Sequence, residues 1–261
     1  MNTQNTIALE LHQLRLSAGA RTLLRPLSLR VCSGELWCVL GPNGSGKTTL
    51  LHTLAGLRAP ASGTVSCFGV DVSLAAPEQL ARQRGLLTQT VHDSFSASAL
   101  DVVLLGRHPH HDRWSFGDSD DDRRIAHEAL AAVDAAALAT RDVTTLSGGE
   151  RQRVAVAALL AQQVPLMLLD EPTAHLDLKH QIGLLAHLRD WVLDGVHAAV
   201  IALHDLNLAA RFATHALLLA PDGQAHAGTI DEVMTDAALA AAFDHPLRRQ
   251  RIDSRWIYLP G

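Results

Sequence analysis

Three short stretches of this 261-residue chain combine residue types and spacings that can do chemistry on phosphate. Gly41-Pro42-Asn43-Gly44-Ser45-Gly46-Lys47-Thr48 fits the pattern G-x-x-x-x-G-K-[ST]. Its glycines let backbone N–H groups curl around phosphate oxygens, and a helix starting there turns its positive end to the same anion. Lys47 has the reach for β- and γ-phosphates, the Thr48 hydroxyl suits Mg²⁺, and Thr49 follows on the same helix start. Val164-Pro165-Leu166-Met167-Leu168-Leu169-Asp170-Glu171 is an apolar run that delivers two adjacent carboxylates. Asp170 suits a nucleotide-bound Mg²⁺, and Glu171 suits a water poised to attack the γ-phosphate. Leu146-Ser147-Gly148-Gly149-Glu150 places an N-capping serine and two glycines ahead of the apolar helical run from Val154 to Ala161. Glycines at a helix start permit close approach to a second anion. Taken by its spacing alone, this third stretch is an ordinary capped helix.

The elements that must carry these residues are legible around them. The apolar end of Gly34–Leu40 reads as a buried strand ahead of the glycine loop, and Thr49–Ala55 as a helix stopped by Gly56. Strand character recurs over Ile7–Leu16, Leu27–Val31, residues 63–72, Arg84–Gln89, Pro165–Asp170 and Ala198–His204. Residues 99–161 are rich in alanine and leucine at helical spacing, interrupted by the acidic stretch Gly117–Asp122, expected as a solvated loop ending in an N-cap. Strands alternating with helices predict an α/β fold with a mostly parallel sheet. We divide the chain into a nucleotide-binding core over 1–89 and 162–245, an inserted helical subdomain over 90–161 and a tail over 246–261.

Composition narrows the function. An apolar fraction of 48% supports a sizeable core, and a formal charge of −5 provides no electrostatic footprint for nucleic acid or anionic lipid. No apolar run approaches the ~18 residues of a membrane span. Met1–Asn5 shows no basic region leading into an apolar one, so no secretory signal is expected. Cys32, Cys38 and Cys67 have no metal-ligand spacing and read as reduced thiols of a cytosolic protein.

The order of these motifs resembles ATP-binding-cassette (ABC) ATPases from about residue 7 to 245. Leu146–Glu150, between the phosphate loop and the Asp170-Glu171 strand, is similar to that family's signature motif. Gln89 matches its Q-loop glutamine, Ala174-His175-Leu176-Asp177 its D-loop, and His204 its switch histidine. The resemblance implies a P-loop NTPase core with an inserted α-helical subdomain and an N-terminal antiparallel β region. It implies ATP and Mg²⁺ as cofactors, with Thr48, Gln89 and Asp170 at the metal and Glu171, His204 and Gln89 catalytic. Gly41 to Thr49 of one copy would bind ATP, and Ser147, Gly148 and Gly149 of a second copy, packed head to tail, would cover it. Val102–His110, His175–Gln181 and Leu203–Ala210 resemble the branch that imports metal chelates: iron–siderophores, haem or cobalamin. Such a subunit docks under a membrane permease fed by a periplasmic binding protein, at the cytoplasmic face of the inner membrane.

One departure stands out. The family places an aromatic residue near the start of the cassette to stack on adenine, and the alignment puts Ala18 there; the only tyrosine is Tyr258. Losing such a stack costs about 1 kcal/mol, which weakens base selection without abolishing phosphate binding. The histidine-rich Gly106–Asp112 is expected as a surface loop without metal, because no pair has the H-E-x-x-H spacing of a helix face. His175 and His180 read as loop or helix-surface residues, and the tail Leu247-Arg248-Arg249-Gln250-Arg251 as a solvated or packing segment. Rival readings are an efflux cassette, a soluble cassette ATPase of another process such as DNA repair, and a P-loop kinase or GTPase. The signature opposes the kinase, and no N-K-x-D motif supports the GTPase.

Overall fold

A computed structural model describes residues 6–89, 96–111, 117–252 and 255–261. Met1–Asn5, the start of the helical block at 90–95 and the Asp112 end of the histidine-rich stretch lie outside them. The chain opens with the long strands β1 (Ile7–Ala18) and β2 (Arg21–Cys32), then β3 (Leu36–Leu40) and α1 (Lys47–Leu54). It continues through β4 (Ser62–Cys67), β5 (Val70–Asp71), α2 (Pro77–Gln83) and β6 (Arg84–Leu87). The helical stretch holds α3 (Ala99–Leu104), α4 (Asp120–Ala132) and α5 (Gly148–Ala161), with 3₁₀ turns at Leu105–His110, Ala136–Leu138 and Val143–Thr145. Strand–helix alternation resumes with β7 (Leu166–Asp170), α6 (Leu178–Val192), β8 (Ala198–Ala202) and α7 (Leu206–Phe212). Last come β9 (His215–Leu219), β10 (Ala225–Thr229), α8 (Ile230–Val233), α9 (Asp236–Phe243), β11 (Leu247–Ile252) and β12 (Arg255–Pro260).

The central sheet has the order β10-β9-β3-β8-β7-β6. Every pairing from β9 to β6 is parallel, and only β10 runs antiparallel, at the edge. All five residues of each of β3, β7 and β8 are buried, because both sheet faces are covered. On one face Trp37 and Val39 pack with Leu50, Leu51 and Leu54 of α1 and with the antiparallel sheet β2-β1-β4-β5. On the other, Leu36, Cys38 and Leu40 join the core of α3, α4, α5 and α6. The parallel register fixes where the strands end together: Val39 lies beside Ala202, Asp170 beside Ala202, and Leu87 beside Leu169. The loops after β3, β6, β7 and β8 therefore leave the same edge of the sheet, the carboxyl edge where open α/β sheets bind ligands.

Two sequence expectations change here, and a third, the packing tail, gains a form. The acidic stretch is a solvated loop only in part: Ser119 caps α4 with a reciprocal Ser119–Asp122 capping box, and Asp122 is buried. Its carboxylate pairs at 2.9 Å with buried Arg107, which also donates to the Ala161 carbonyl at 2.8 Å. The histidine-rich segment is accordingly a 3₁₀ turn pinned to the helices, with a His110 ring nitrogen 2.7 Å from the Gln162 carbonyl and His111 3.2 Å from Asp122. Among the described residues no group of three or more His, Cys, Asp or Glu side chains converges on a point where a metal could bind. The arginine-rich tail is an antiparallel hairpin of β11 and β12. It is anchored by buried Tyr258, whose hydroxyl donates to the Met234 carbonyl at 3.1 Å, and Arg249 stacks on Trp256. The three cysteines are unbridged, and among the described residues no helix is long and apolar enough to cross a membrane.

Candidate functional site

The loop between β3 and α1 forms one wall of a cleft of 570 Å³ at the carboxyl edge of the sheet. Asn43, Gly44, Gly46, Lys47, Thr48 and Thr49 line it. Glycine is required by the backbone here. Gly46 sits at φ 104°, where a Cβ would meet the Leu23 side chain at 3.1 Å, and Gly41 sits at φ 146°, where a Cβ would meet the Leu219 carbonyl at 2.6 Å. Gly46 leaves α1 without a side-chain cap, so the first N–H groups of the helix remain open to an anion. Lys47 is buried and folds its ammonium over the loop, donating to the carbonyls of Gly41 at 2.8 Å and Pro42 at 3.2 Å. Burial pushes its pKa down, while the nearby Glu171 and Asp170 pull it back up.

Across the cleft stand Gln89, Glu171 and His204. Their meeting follows from register: β7 and β8 end side by side, so the residues just beyond Asp170 and Ala202 emerge as neighbours. Glu171 takes a left-handed backbone, φ 52°, uncommon for a residue with a Cβ, and its N–H donates to the Ala202 carbonyl at 3.2 Å. Such backbone strain concentrates at functional sites. The bend turns its carboxylate into the cleft, where Gln89 Nε2 donates to Oε2 at 2.9 Å and His204 Nε2 bonds Oε1.

Asp170 lies behind this trio and is fully buried, with neither carboxylate oxygen hydrogen-bonded. Burial pushes its pKa up; the Thr48 hydroxyl beside it pulls the other way, and the charge of Glu171 adds to the rise. An orphaned buried carboxylate next to a hydroxyl, at the edge of a phosphate loop, is an all-oxygen donor set that fits a hard cation such as Mg²⁺. The Gln89 carbonyl oxygen is free to join it, because its amide nitrogen makes the bond to Glu171.

The signature residues are elsewhere. Ser147, Gly148 and Gly149 are not among the residues lining the cleft. Ser147 caps α5 with a reciprocal capping box, in which the Ser147 N–H donates to Glu150 Oε2 at 2.8 Å. Gly149 packs so closely on the His175 carbonyl that a Cβ would stand 2.8 Å from it. His175, at φ 62°, is thus a loop residue facing the signature. Buried Gln152 of α5 donates to the Pro172 carbonyl at 3.2 Å, which ties the signature helix to the strand end bearing Asp170 and Glu171. Asp177 caps α6 and bonds the His180 ring at 2.8 Å; this histidine is half-buried on the first turn rather than at the surface.

Ala18 does line the cleft, and so do two residues outside every motif, Arg21 and Leu23. The β1–β2 hairpin pairs Arg21 directly with Ala18. The signal was the tight turn at Gly19-Ala20, which folds Arg21 back beside Ala18.

A glycine-looped phosphate cradle at the carboxyl edge of a parallel sheet, with an acidic strand end beside it, defines the class of P-loop nucleotide-binding proteins. Comparison with known proteins narrows this. The family model described as ABC transporter matches residues 24–174. A hemin import ATP-binding protein of Thermobifida fusca is 41% identical over 93% of this chain and 84% of its own length. A cobalamin import ATP-binding protein of Halobacterium salinarum is 44% identical over 87% of this chain, which spans only 56% of that relative. Among solved structures, an inward-facing ABC transporter described as of metal-chelate type superposes with a TM-score of 0.84 at 29% identity, covering 97% of both chains. This chain belongs to the ABC transporter family.

Proposed function

We propose that this chain is the ATP-hydrolysing subunit of an importer that moves a metal chelate (an iron–siderophore, haem or cobalamin) through a membrane permease. The observation that carries the reading is the convergence of Gln89, Glu171 and His204 on the mouth of the phosphate loop. The chelate class is supported by the relatives named for hemin and cobalamin import and by the structural neighbour of metal-chelate type.

The phosphates would bind the loop N–H groups and the open start of α1, and Lys47 would leave the Gly41 and Pro42 carbonyls for the β- and γ-phosphates. Asp170, the Thr48 hydroxyl and the Gln89 carbonyl would hold Mg²⁺, which when bound neutralises charge on the phosphoryl oxygens. Each carboxylate oxygen of Glu171 keeps a lone pair beyond those used by Gln89 and His204. The carboxylate is thereby oriented yet still able to accept a proton from an attacking water. His204 holds Glu171 from the other side, at the mouth of the phosphate loop, where it would face the γ-phosphate.

One copy offers only part of such a site, since its signature lies outside its own cleft. A second copy, head to tail, would present Ser147, Gly148 and Gly149 to the ATP held by the first, making the γ-phosphate part of the interface. The permease, and through it a periplasmic binding protein, would be the remaining partners, with no nucleic acid, and would hold the subunit at the cytoplasmic face of the membrane. In this reading residues 90–161 are the signature subdomain inserted into the core of 1–89 and 162–245, with 246–261 as the tail.

Glu171→Gln tests the assignment. It keeps the size and one acceptor oxygen but cannot accept the proton, so turnover should fall roughly 10²–10⁴-fold with ATP affinity retained and a nucleotide-bound dimer accumulating. Turnover within a few-fold of the parent chain would remove Glu171 as the base.

A further inference from the structure

We propose that Arg21 is the residue that holds the nucleotide base, stacking its guanidinium on the purine where Ala18 provides no ring. The inference rests on the nucleotide-site reading above and adds to it the identity of the base-holding group.

Four observations point to it. Arg21 lines the same cleft as Lys47 and Thr48, on the strand wall formed with Ala18 and Leu23. It is the cross-strand partner of Ala18 at the end of the β1–β2 hairpin, so its side chain grows from the backbone position that faces the alanine. Its guanidinium lies over the phosphate loop, with Nη1 3.8 Å from where a Cβ on Gly44 would stand. Finally, it is uncommitted. Two other arginines of β2 are tied to carboxylates, Arg25 to Asp222 at 3.3 Å and Arg30 to Glu10 at 2.7 Å. The Arg21 side chain is exposed and makes no hydrogen bond or ion pair among the described residues.

The chemistry suits a base better than a further phosphate. The phosphate end already has the loop N–H groups and Lys47. Guanidinium is planar, weakly hydrated and stacks on π-faces, which an ammonium does not do as well. Leu23, buried and packed on Gly46, gives the same wall an apolar floor. A face-on stack reads shape rather than edge pattern, so ATP and GTP should be separated only weakly by this contact.

The test compares the dissociation constants of a non-hydrolysable ATP analogue and of inorganic tripolyphosphate, by calorimetry on the full chain, for the parent, Arg21→Ala, Arg21→Lys and Arg21→Tyr. Arg21→Ala should weaken the analogue about three- to tenfold and leave tripolyphosphate within about twofold. Arg21→Tyr, a plane without charge, should recover most of that loss, and Arg21→Lys, a charge without a plane, should not. Unchanged analogue binding in Arg21→Ala overturns the proposal. An equal loss for both ligands in a variant that melts like the parent makes Arg21 a phosphate contact, and full rescue by lysine makes it a point charge; either overturns the stack. A parent chain that binds neither ligand would instead overturn the nucleotide site itself.

Discussion

Two helices of this molecule begin at glycines, and they begin in opposite ways. The α1 helix starts at Gly46 with no side-chain cap, facing an open cleft, its amino end finished only by what enters the cleft. The α5 helix is capped by Ser147 with a full capping box, its Gly149 pressed on the His175 carbonyl and its side chain Gln152 fastened to Pro172. An uncapped helix start keeps its N–H donors for an anion and is completed by ligand. A self-capped start is complete on its own and presents a rigid edge. In the proposed function the first would receive phosphate, and the second would be a preformed surface covering a phosphate held by another copy. Two glycine motifs that look alike on paper thus do different work.

Substitutions at the two helix starts should therefore separate in kind as well as in size. Lys47→Ala should lower ATP affinity about a hundredfold, since it removes charge-assisted hydrogen bonds, while leaving the melting temperature unchanged or raised. Equilibrium binding and a thermal melt check both halves; a destabilised protein with normal ATP affinity would break the contrast. Gly149→Ala should do the reverse. Its Cβ would stand 2.8 Å from the His175 carbonyl, so a backbone shift costing about 1–3 kcal/mol is expected, with ATP affinity of the single chain preserved and turnover reduced. Denaturant unfolding beside a binding curve would show it. Ser147→Ala is the smallest change. Loss of the cap should cost about 1 kcal/mol and lower the melting temperature by about 2–4 °C, again without weakening ATP binding to the single chain.

The same contrast explains what could be read from the amino-acid sequence. The phosphate loop, the acidic strand end and the α/β alternation are local patterns, visible because one short run of residues carries each. Ser147 as an N-cap is local too, and the structure has it there. The family and the fold class are borne out by the comparisons. The features that escaped are made by contacts between distant segments. Arg107 looked like part of a surface loop because nothing nearby in sequence says that Asp122 and the Ala161 carbonyl will bury it. Arg21 belongs to no local motif; only the hairpin register puts it opposite Ala18. The arginine-rich tail gave no alternation strong enough to announce a hairpin; Tyr258 and Asn207, joined by backbone–side-chain bonds of 2.8 and 3.2 Å, make it one.

In the proposed function the cleft is half a site, completed by the signature edge of a second copy. The direct test mixes two inactive chains, Lys47→Ala, with an intact signature and no phosphate grip, and Ser147→Arg, with the reverse. Head-to-tail pairing gives every mixed dimer one site in which both walls are sound, so the equimolar mixture should recover up to about a quarter of parental ATP turnover. A mixture as inactive as either variant alone would contradict the account.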